Sequence, residues 1–383
     1  MLWLDLRGAT ALELFHGAPL PQLGIPSYDG VRDVYFGDGR QEKAYGGSCT
    51  NRGTDLSYGT DLRFQLHLGG EGRRTLLRYD LSMLPAGVKV ARAVLMLHVE
   101  DLDAKADLAC RVVALKRRWS DAMAGIMGGL NETNAANPEP FRPLYPVGRT
   151  ENWEEPGALG PSDRYPEPIA RVTFEKPGWI AIDITSAARH WASGEWPNHG
   201  LAIEKERETW AMGRHDVRIT ASDYPVDPRL RPRLVLALEG AVKPVPCPVR
   251  EVNADLEAAL AKAEEAKKLV LVNVLSAGSL TSRRLEAEVL SLPEVAKHIA
   301  ASYIEVRLDG DRPEHGERLK AWGVRRFPSA VILNAQGERV GLVEPFDWDA
   351  PSGLLRSGFE FPQLYTRALA HALRHPAPAG CGG

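Results

Sequence analysis

The sequence predicts a multidomain chain, all-β in its N-terminal part and α/β in its C-terminal part. Three observations predict it. Residues 31–240 hold short segments in which apolar and polar side chains alternate between Gly-, Pro- and Asn-containing turns, the period of strands with one buried face. Residues 241–252 carry repeated prolines, which favour an extended, stiff spacer. Beyond that spacer the period lengthens, and amphipathic helices alternate with apolar strands.

The 383 residues are enough for two domains, and a net charge of −3 gives no global attraction to nucleic acid or an anionic membrane. The longest apolar runs, such as LVLVNVL at 269–275, are too short to span a bilayer. The N-terminus lacks a basic start followed by an apolar core, so no signal peptide is read there. Cys49, Cys110, Cys247 and Cys381 are widely spaced and form no C-x-x-C pair. Cys110, in LACRVVAL, reads as a small buried side chain.

Residues 1–30 read as an N-terminal edge segment, a short strand followed by loop. Strands then come steadily in VRDVYF, in LRFQLHLGG, in RRTLLRYDL and in AVLMLHV, where Val94, Met96 and His98 oppose Ala93, Leu95, Leu97 and Val99. ACRVVALKRRWS is the next strand. Between about 120 and 168 the pattern gives way to Gly, Asn, Pro and acidic residues, an insertion too long for an ordinary loop. Strands resume at IARVTF. In WIAIDITSAARHWASGEWPNHGLAIE, Trp179, Ala181 and Asp183 alternate with Ile180, Ile182 and Ile184. Thr185 is read as the cap of a short helix that lays Ala187, Ala188 and Trp191 on the sheet. RPRLVLALE closes the region.

Three of these stretches carry a resemblance. W-I-A-I-D-I-T…W-A-S-G…N-H-G-L, R-T-L-L-R-Y-D-L-S-M-L-P-A-G and the closing P-R-L-V-L are similar to the motifs of the DNRLRE-type β-sandwich, a group that includes the family-96 carbohydrate-binding modules. The resemblance spans residues 31–240 and implies a jelly-roll-like sandwich. Its relatives bind acidic polysaccharide such as alginate, which would call for exposed aromatics to stack on sugars and for Arg or Lys to hold carboxylates. Lys205, Arg207, Trp210 and Arg214 in EKERETWAMGRHDVR, with Arg52 and Tyr58 in NRGTDLSYG, are the candidate carbohydrate-binding residues. The alternative for them is a core tryptophan amid ordinary surface charge.

Residues 253–375 run helix, strand, helix, helix, strand, helix, hairpin, helix, ahead of a tail at 376–383. The order resembles a thioredoxin-like domain. Pro328 in V-R-R-F-P-S stands at the position of that family's cis-proline, and N-A-Q-G at its hairpin turn. The family's A-x-W-C-x-x-C-R-x-L-E corresponds here to S-A-G-S-L-T-S-R-R-L-E, so Ser279 and Ser282 replace both cysteines. A serine hydroxyl neither ionises readily at a helix start nor forms a disulfide. On the resemblance, dithiol exchange is therefore excluded and the site is degenerate. Helix capping by Ser279, Thr281 or Ser282 competes with a small anion or peptide site beside Pro328.

No catalytic constellation is recognised. P-loop, dinucleotide and nucleophile-elbow motifs are absent from the sequence, and Glu154 and Glu155 are adjacent on one loop rather than opposed across a substrate. His190 and His199 have no neighbours at ligand spacing. A structural calcium at Asp33, Asp80 or Asp183 is the one cofactor left open, without a D-x-D-x-D-G loop to hold it. The expectation is a non-catalytic, extracellular or envelope protein that binds polysaccharide or a cell-surface glycan through the sandwich, with a redox-inactive thioredoxin-like scaffold. Two alternatives are a structural subunit making only protein contacts and an enzyme with the 120–168 insertion as lid.

Overall fold

The computed structural model describes residues 9–36, 65–69, 74–103, 108–119, 154, 158–206, 216–222, 224, 227–243, 248–343 and 362–374. The chain divides into two units, Met1–Val245 and Pro246–Gly383.

The first unit is built on two antiparallel sheets. Its strands are β1 (Ala9–Leu14), β2 (Val31–Phe36), β3 (Gln65–Gly69), β4 (Arg74–Tyr79), β5 (Val90–Asp103), β6 (Leu108–Ala114), β7 (Ala170–Phe174) and β8 (Gly178–Asp183), then helix α1 (Thr185–Ser193), β9 (Leu201–Lys205), β10 (Asp216–Thr220) and β11 (Arg233–Glu239). One sheet runs β1-β11-β5-β10-β3, with β8 also paired to β5; the other runs β2-β4-β9-β6-β7. The edge strand predicted within residues 1–30 is β1, which pairs only with β11 among the described residues.

Period-two patterning explains most strands. On β8, Trp179, Ala181 and Asp183 are exposed while Ile182 is buried, and on β5 Ala93, Leu95, Leu97 and Val99 form the inward row. β4 departs from the rule, being buried at all six positions, Arg74 and Arg78 included.

Two turns show how sequence fixes the path. The expectation that Thr185 caps α1 needs correction. Asp183 Oδ1 accepts the Thr185 N–H at 2.9 Å, while Thr185 Oγ1 accepts from Ala93 N–H on β5 at 2.9 Å. A carboxylate is the stronger acceptor at a helix start, which frees the hydroxyl to tie α1 to the sheet. Burial opposes ionisation of Asp183, but the Thr185 hydrogen bonds and the Arg92 charge hold its carboxyl below the usual range. After α1, Asn198 Nδ2 donates to Tyr79 O at 2.7 Å. Gly200 has a φ of +80°, and a Cβ there would meet Leu77 O at 2.2 Å, so only glycine fits.

Of the expected insertion, residues 158–168 run beside β6. Arg164 bridges Leu115, and Tyr165 N–H donates to Ala114 O at 3.0 Å. Residues 120–153 and 155–157 lie outside the described residues.

The second unit comprises α2 (Leu256–Ala266), β12 (Leu269–Leu275), α3 (Leu280–Arg284), a wider π-type turn over Leu285–Leu290, α4 (Pro293–Ser302), β13 (Tyr303–Asp309), α5 (Gly316–Ala321), β14 (Ser329–Leu333), β15 (Arg339–Val343) and α6 (Pro362–Arg374). The sheet runs β13-β12-β14-β15, with β12 parallel to β13 and the other pairs antiparallel. Apolar clusters cover both faces. One gathers Leu271, Leu275, Leu285, Ile299 and Leu369, the other Ala259, Val270, Val272, Leu319 and Trp322. That two-sided burial is why β12 reads as an unbroken apolar run. Asp255 caps α2, accepting from Ala258 N–H at 3.0 Å. Among the described residues, no helix is long and apolar enough to cross a membrane.

Candidate functional site

The loop from the end of β12 into α3 carries Ser279 and Ser282. Ser279 is the N-cap of α3, and its Oγ accepts from Ser282 N–H at 3.2 Å. Ser282 is buried, with an exposure of 2%, and its Oγ accepts from Ser276 N–H at 3.1 Å. Asp311 completes the loop. Its Oδ2 accepts from Ser276 Oγ at 2.9 Å and Ala277 N–H at 3.0 Å, while Arg283 donates to Ala277 O through Nε and an η nitrogen. Both serines thus take part in closing the loop. The Phe327–Pro328 bond is cis. Pro328 is buried one residue beyond the Val274–Ser329 pair, at the sheet end from which the Ser276–Ser282 loop departs. Residues 251–335 contain no cysteine.

In the first unit, of the six candidate carbohydrate-binding residues only Lys205 falls among the described residues, half-buried on β9 opposite Cys110. Arg52, Tyr58, Arg207, Trp210 and Arg214 lie outside them. At the preceding residue, on the other face of β9, the structure assembles a group that the sequence pattern does not reveal. Glu204 is 3% exposed and receives three guanidinium groups. Arg74 Nε on β4 reaches Oε2 at 2.9 Å, and Arg111 Nε on β6 reaches Oε1 at 2.6 Å. An Arg164 η nitrogen, from the segment beside β6, reaches Oε1 at 2.7 Å. Burial disfavours the carboxylate, but Arg74, Arg164 and Arg111 outweigh it and hold Glu204 below the ordinary range. Among the described residues, three guanidinium groups thus share the one Glu204 carboxylate.

The group extends across the sheet. Arg111 stands directly opposite Arg171 on β7, and Arg171 Nε pairs with Glu206 Oε1 at 2.7 Å. The side chains of Arg111 and Arg171 are 36% and 64% exposed. Two cross-strand arginines repel each other, and their planar forks match a carboxylate's two oxygens. The sequence signal for this group is slight. In LAIEK, Glu204 continues the alternation begun at Leu201, but a glutamate at a strand end looks the same whether buried or solvated.

Among the described residues, no group of three His, Cys, Asp or Glu side chains is arranged to hold a metal ion. Asp33 accepts from Ser222 N–H and Oγ at 2.6 and 2.8 Å, and Asp80 accepts from Ser82 N–H at 2.8 Å. His190 pairs with Glu195 at 2.8 Å and stacks on Trp196 with ring centroids 4.0 Å apart.

Comparison with known proteins bears on the second unit. No curated protein matches the chain. Among solved structures, the chain is similar to a disulphide isomerase from Xylella fastidiosa Temecula1, at 17% identity over 33% of this chain and 96% of that one, with a TM-score of 0.27. It is similar to a thioredoxin from Thermus thermophilus at 24% identity, over 31% and 92%, with a TM-score of 0.23. The C-terminal domain of Neisseria meningitidis DsbD in its reduced form matches at 22% identity, over 23% and 79%, with a TM-score of 0.20. A family model described as thioredoxin-like matches residues 251–335. With its central β12, its parallel β12–β13 crossover through α3 and α4, and its antiparallel β14–β15 hairpin, this part of the chain is a thioredoxin-like domain.

Proposed function

We propose that the chain is a non-catalytic binding protein, in which the N-terminal unit is a DNRLRE-type β-sandwich that binds acidic polysaccharide. The observation that carries this reading is the Arg111–Arg171 pair, two partly exposed arginines side by side in the cross-strand row of Glu204. A uronate carboxylate docking between them would relieve their repulsion and form fork-to-fork hydrogen bonds. The thioredoxin-like domain serves as scaffold. The solved structures it is similar to include a disulphide isomerase and a thioredoxin, but serine at 279 and 282 leaves no thiol at those positions to attack or resolve a disulfide. Binding to such polymers would place the protein outside the cell or in the envelope.

The test is binding of the full chain to alginate and pectate at low and high salt. Binding that weakens with salt, as exposed charge pairs do, and that falls about tenfold in Arg171→Ala, supports the reading. Absence of binding to either polymer, accompanied by a concentration-dependent mass, would overturn it in favour of an assembly subunit.

A further inference from the structure

Two glutamates stand two residues apart at the end of β9, and they are held differently. Glu204 is buried and takes three guanidinium groups. Glu206 is 38% exposed and, among the described residues, its side chain bonds to Arg171 alone, Oε1 accepting from Nε at 2.7 Å. That bond crosses β6. Glu206 N–H donates to Ala109 O at 3.0 Å, so Glu206 lies on the β9 side of β6, while Arg171 lies on the β7 side, opposite Arg111. Ala109 is exposed on the face it shares with Arg111. Its side chain ends at Cβ, which leaves the way across β6 open. Thr173, also exposed, stands opposite Ala109 on β7.

The Glu206 carboxylate therefore sits where the proposed function needs a carboxylate. An arginine grips a carboxylate most firmly through two parallel N–H···O bonds. The side-on grip uses Nε with the neighbouring η nitrogen, and in Arg171 that Nε is taken by Glu206. In Arg111 the Nε is taken by Glu204, and a carboxylate buried among three guanidinium groups is costly to displace. Glu206 is free to leave. Its carboxylate and the Arg171 side chain are both open to water, and an exposed ion pair of this kind is worth little.

We infer that Glu206 is a built-in competitor for the ligand: its carboxylate holds the side-on edge of Arg171 in the free protein and is displaced when a uronate carboxylate binds there. The inference rests on the acidic-polysaccharide reading and adds to it the contact that sets the strength of binding. Because Glu206 is tethered, its carboxylate is present at Arg171 at a fixed effective concentration, which the ligand must overcome. The exchange replaces one ion pair by another, so binding through Arg171 yields less than its new hydrogen bonds alone would give.

The experiment is calorimetric titration of the full chain with an alginate hexamer. It compares the natural chain with Glu206→Gln, Arg171→Ala, the double variant of these, and Glu175→Gln, which removes the same charge from the turn after β7. Glu206→Gln is expected to bind about threefold more tightly, the effect of removing an exposed ion pair, and Glu175→Gln to bind as the natural chain does. The gain should vanish on the Arg171→Ala background, where the competitor has nothing to hold. Equal or weaker binding by Glu206→Gln overturns the inference, because Glu206 then only positions Arg171 or the ligand uses the end-on edge. The same gain in Glu175→Gln, or on the Arg171→Ala background, also overturns it, since long-range charge repulsion would be the cause. Alginate binding that depends on Arg171 would keep the proposed function standing in each of these cases. Binding by neither the natural chain nor Glu206→Gln overturns both. Binding by Glu206→Gln alone, lost with Arg171, upholds the competitor and overturns polysaccharide binding as the function of the natural chain.

Discussion

Tyr365, on the last helix, donates its hydroxyl to Asn273 Oδ1 on the central strand across 2.5 Å, and both residues are fully buried. Asn273 is the one polar position in LVLVNVL, and its Nδ2 donates to Glu305 Oε1 at 3.2 Å. Burial pushes the Tyr365 phenol far above its ordinary range, so it stays a donor at all working pH values. This bond fastens α6 to β12 from the far end of the domain's sequence.

Tyr365→Phe removes the donor without removing the ring. It is expected to cost about 1–2 kcal/mol, because a buried amide oxygen loses its partner. Urea unfolding followed by circular dichroism checks this, with a lowered midpoint and an unchanged slope. An unchanged midpoint would show that α6 is held by its apolar contacts alone.

Glu204 should be the more sensitive position. Glu204→Ala removes the carboxylate shared by Arg74, which is 4% exposed, Arg111 and Arg164, and breaking one side of a buried ion group costs about 3–5 kcal/mol. The pH dependence has a definite sign. The folded carboxyl is held below its ordinary value of 4.5, so its contribution is present above that pH and is lost as pH falls through the lower folded value. Glu204→Gln should therefore be less stable at neutral pH, with a shallower loss on acidification below about pH 4.5. Parallel acid curves for the two proteins would refute this.

How far the sequence discloses such features depends on the kind of burial. The thioredoxin-like domain is legible because its markers are local. An apolar run marks β12, Asp255 marks the start of α2, and N-A-Q-G marks the β14–β15 turn. The strand character of β5 and β8 is legible from alternation. The burial of β4 is not, since RTLLRY is buried on both faces and period two cannot distinguish an arginine facing solvent from one facing a glutamate on another strand. Glu204 depends on partners 130, 93 and 40 residues away, and no local signal carries that. The expected capping role of Thr185 fails for the same reason, because the donor that captures its hydroxyl, Ala93 N–H, is supplied by a distant strand.

Cys110 offers a test of packing around β6. It is fully buried opposite Lys205, and burial pushes its thiol up to about 12. At pH 8 roughly one molecule in ten thousand would carry the thiolate that reacts. Iodoacetamide labelling read by peptide mass mapping should leave Cys110 unmodified in the native chain and modify it in urea. Rapid native labelling would mean that β6 and β9 open readily.

The serine pair allows the proposed absence of dithiol chemistry to be tested by reversal. Ser279 is an N-cap and Ser282 lies three residues on, with the Ser282 N–H donating to the Ser279 hydroxyl. The two side chains are therefore held on one turn of backbone. Sulfur is larger than oxygen, and at the buried 282 position the extra volume costs a little stability. A thiol at 279 would occupy a helix start, where the local dipole favours thiolate. The double variant Ser279→Cys/Ser282→Cys is expected to form a disulfide that dithiothreitol reduces, seen as a change of about 2 Da in intact mass, and to reduce insulin where the natural chain does not. The mass change follows from loss of two hydrogens on oxidation. Insulin reduction by the natural chain would place its redox chemistry at cysteines outside residues 251–335 and end the scaffold reading. A double variant that folds but never closes its disulfide would show that the loop held by Asp311 has moved away from the geometry that dithiol exchange needs.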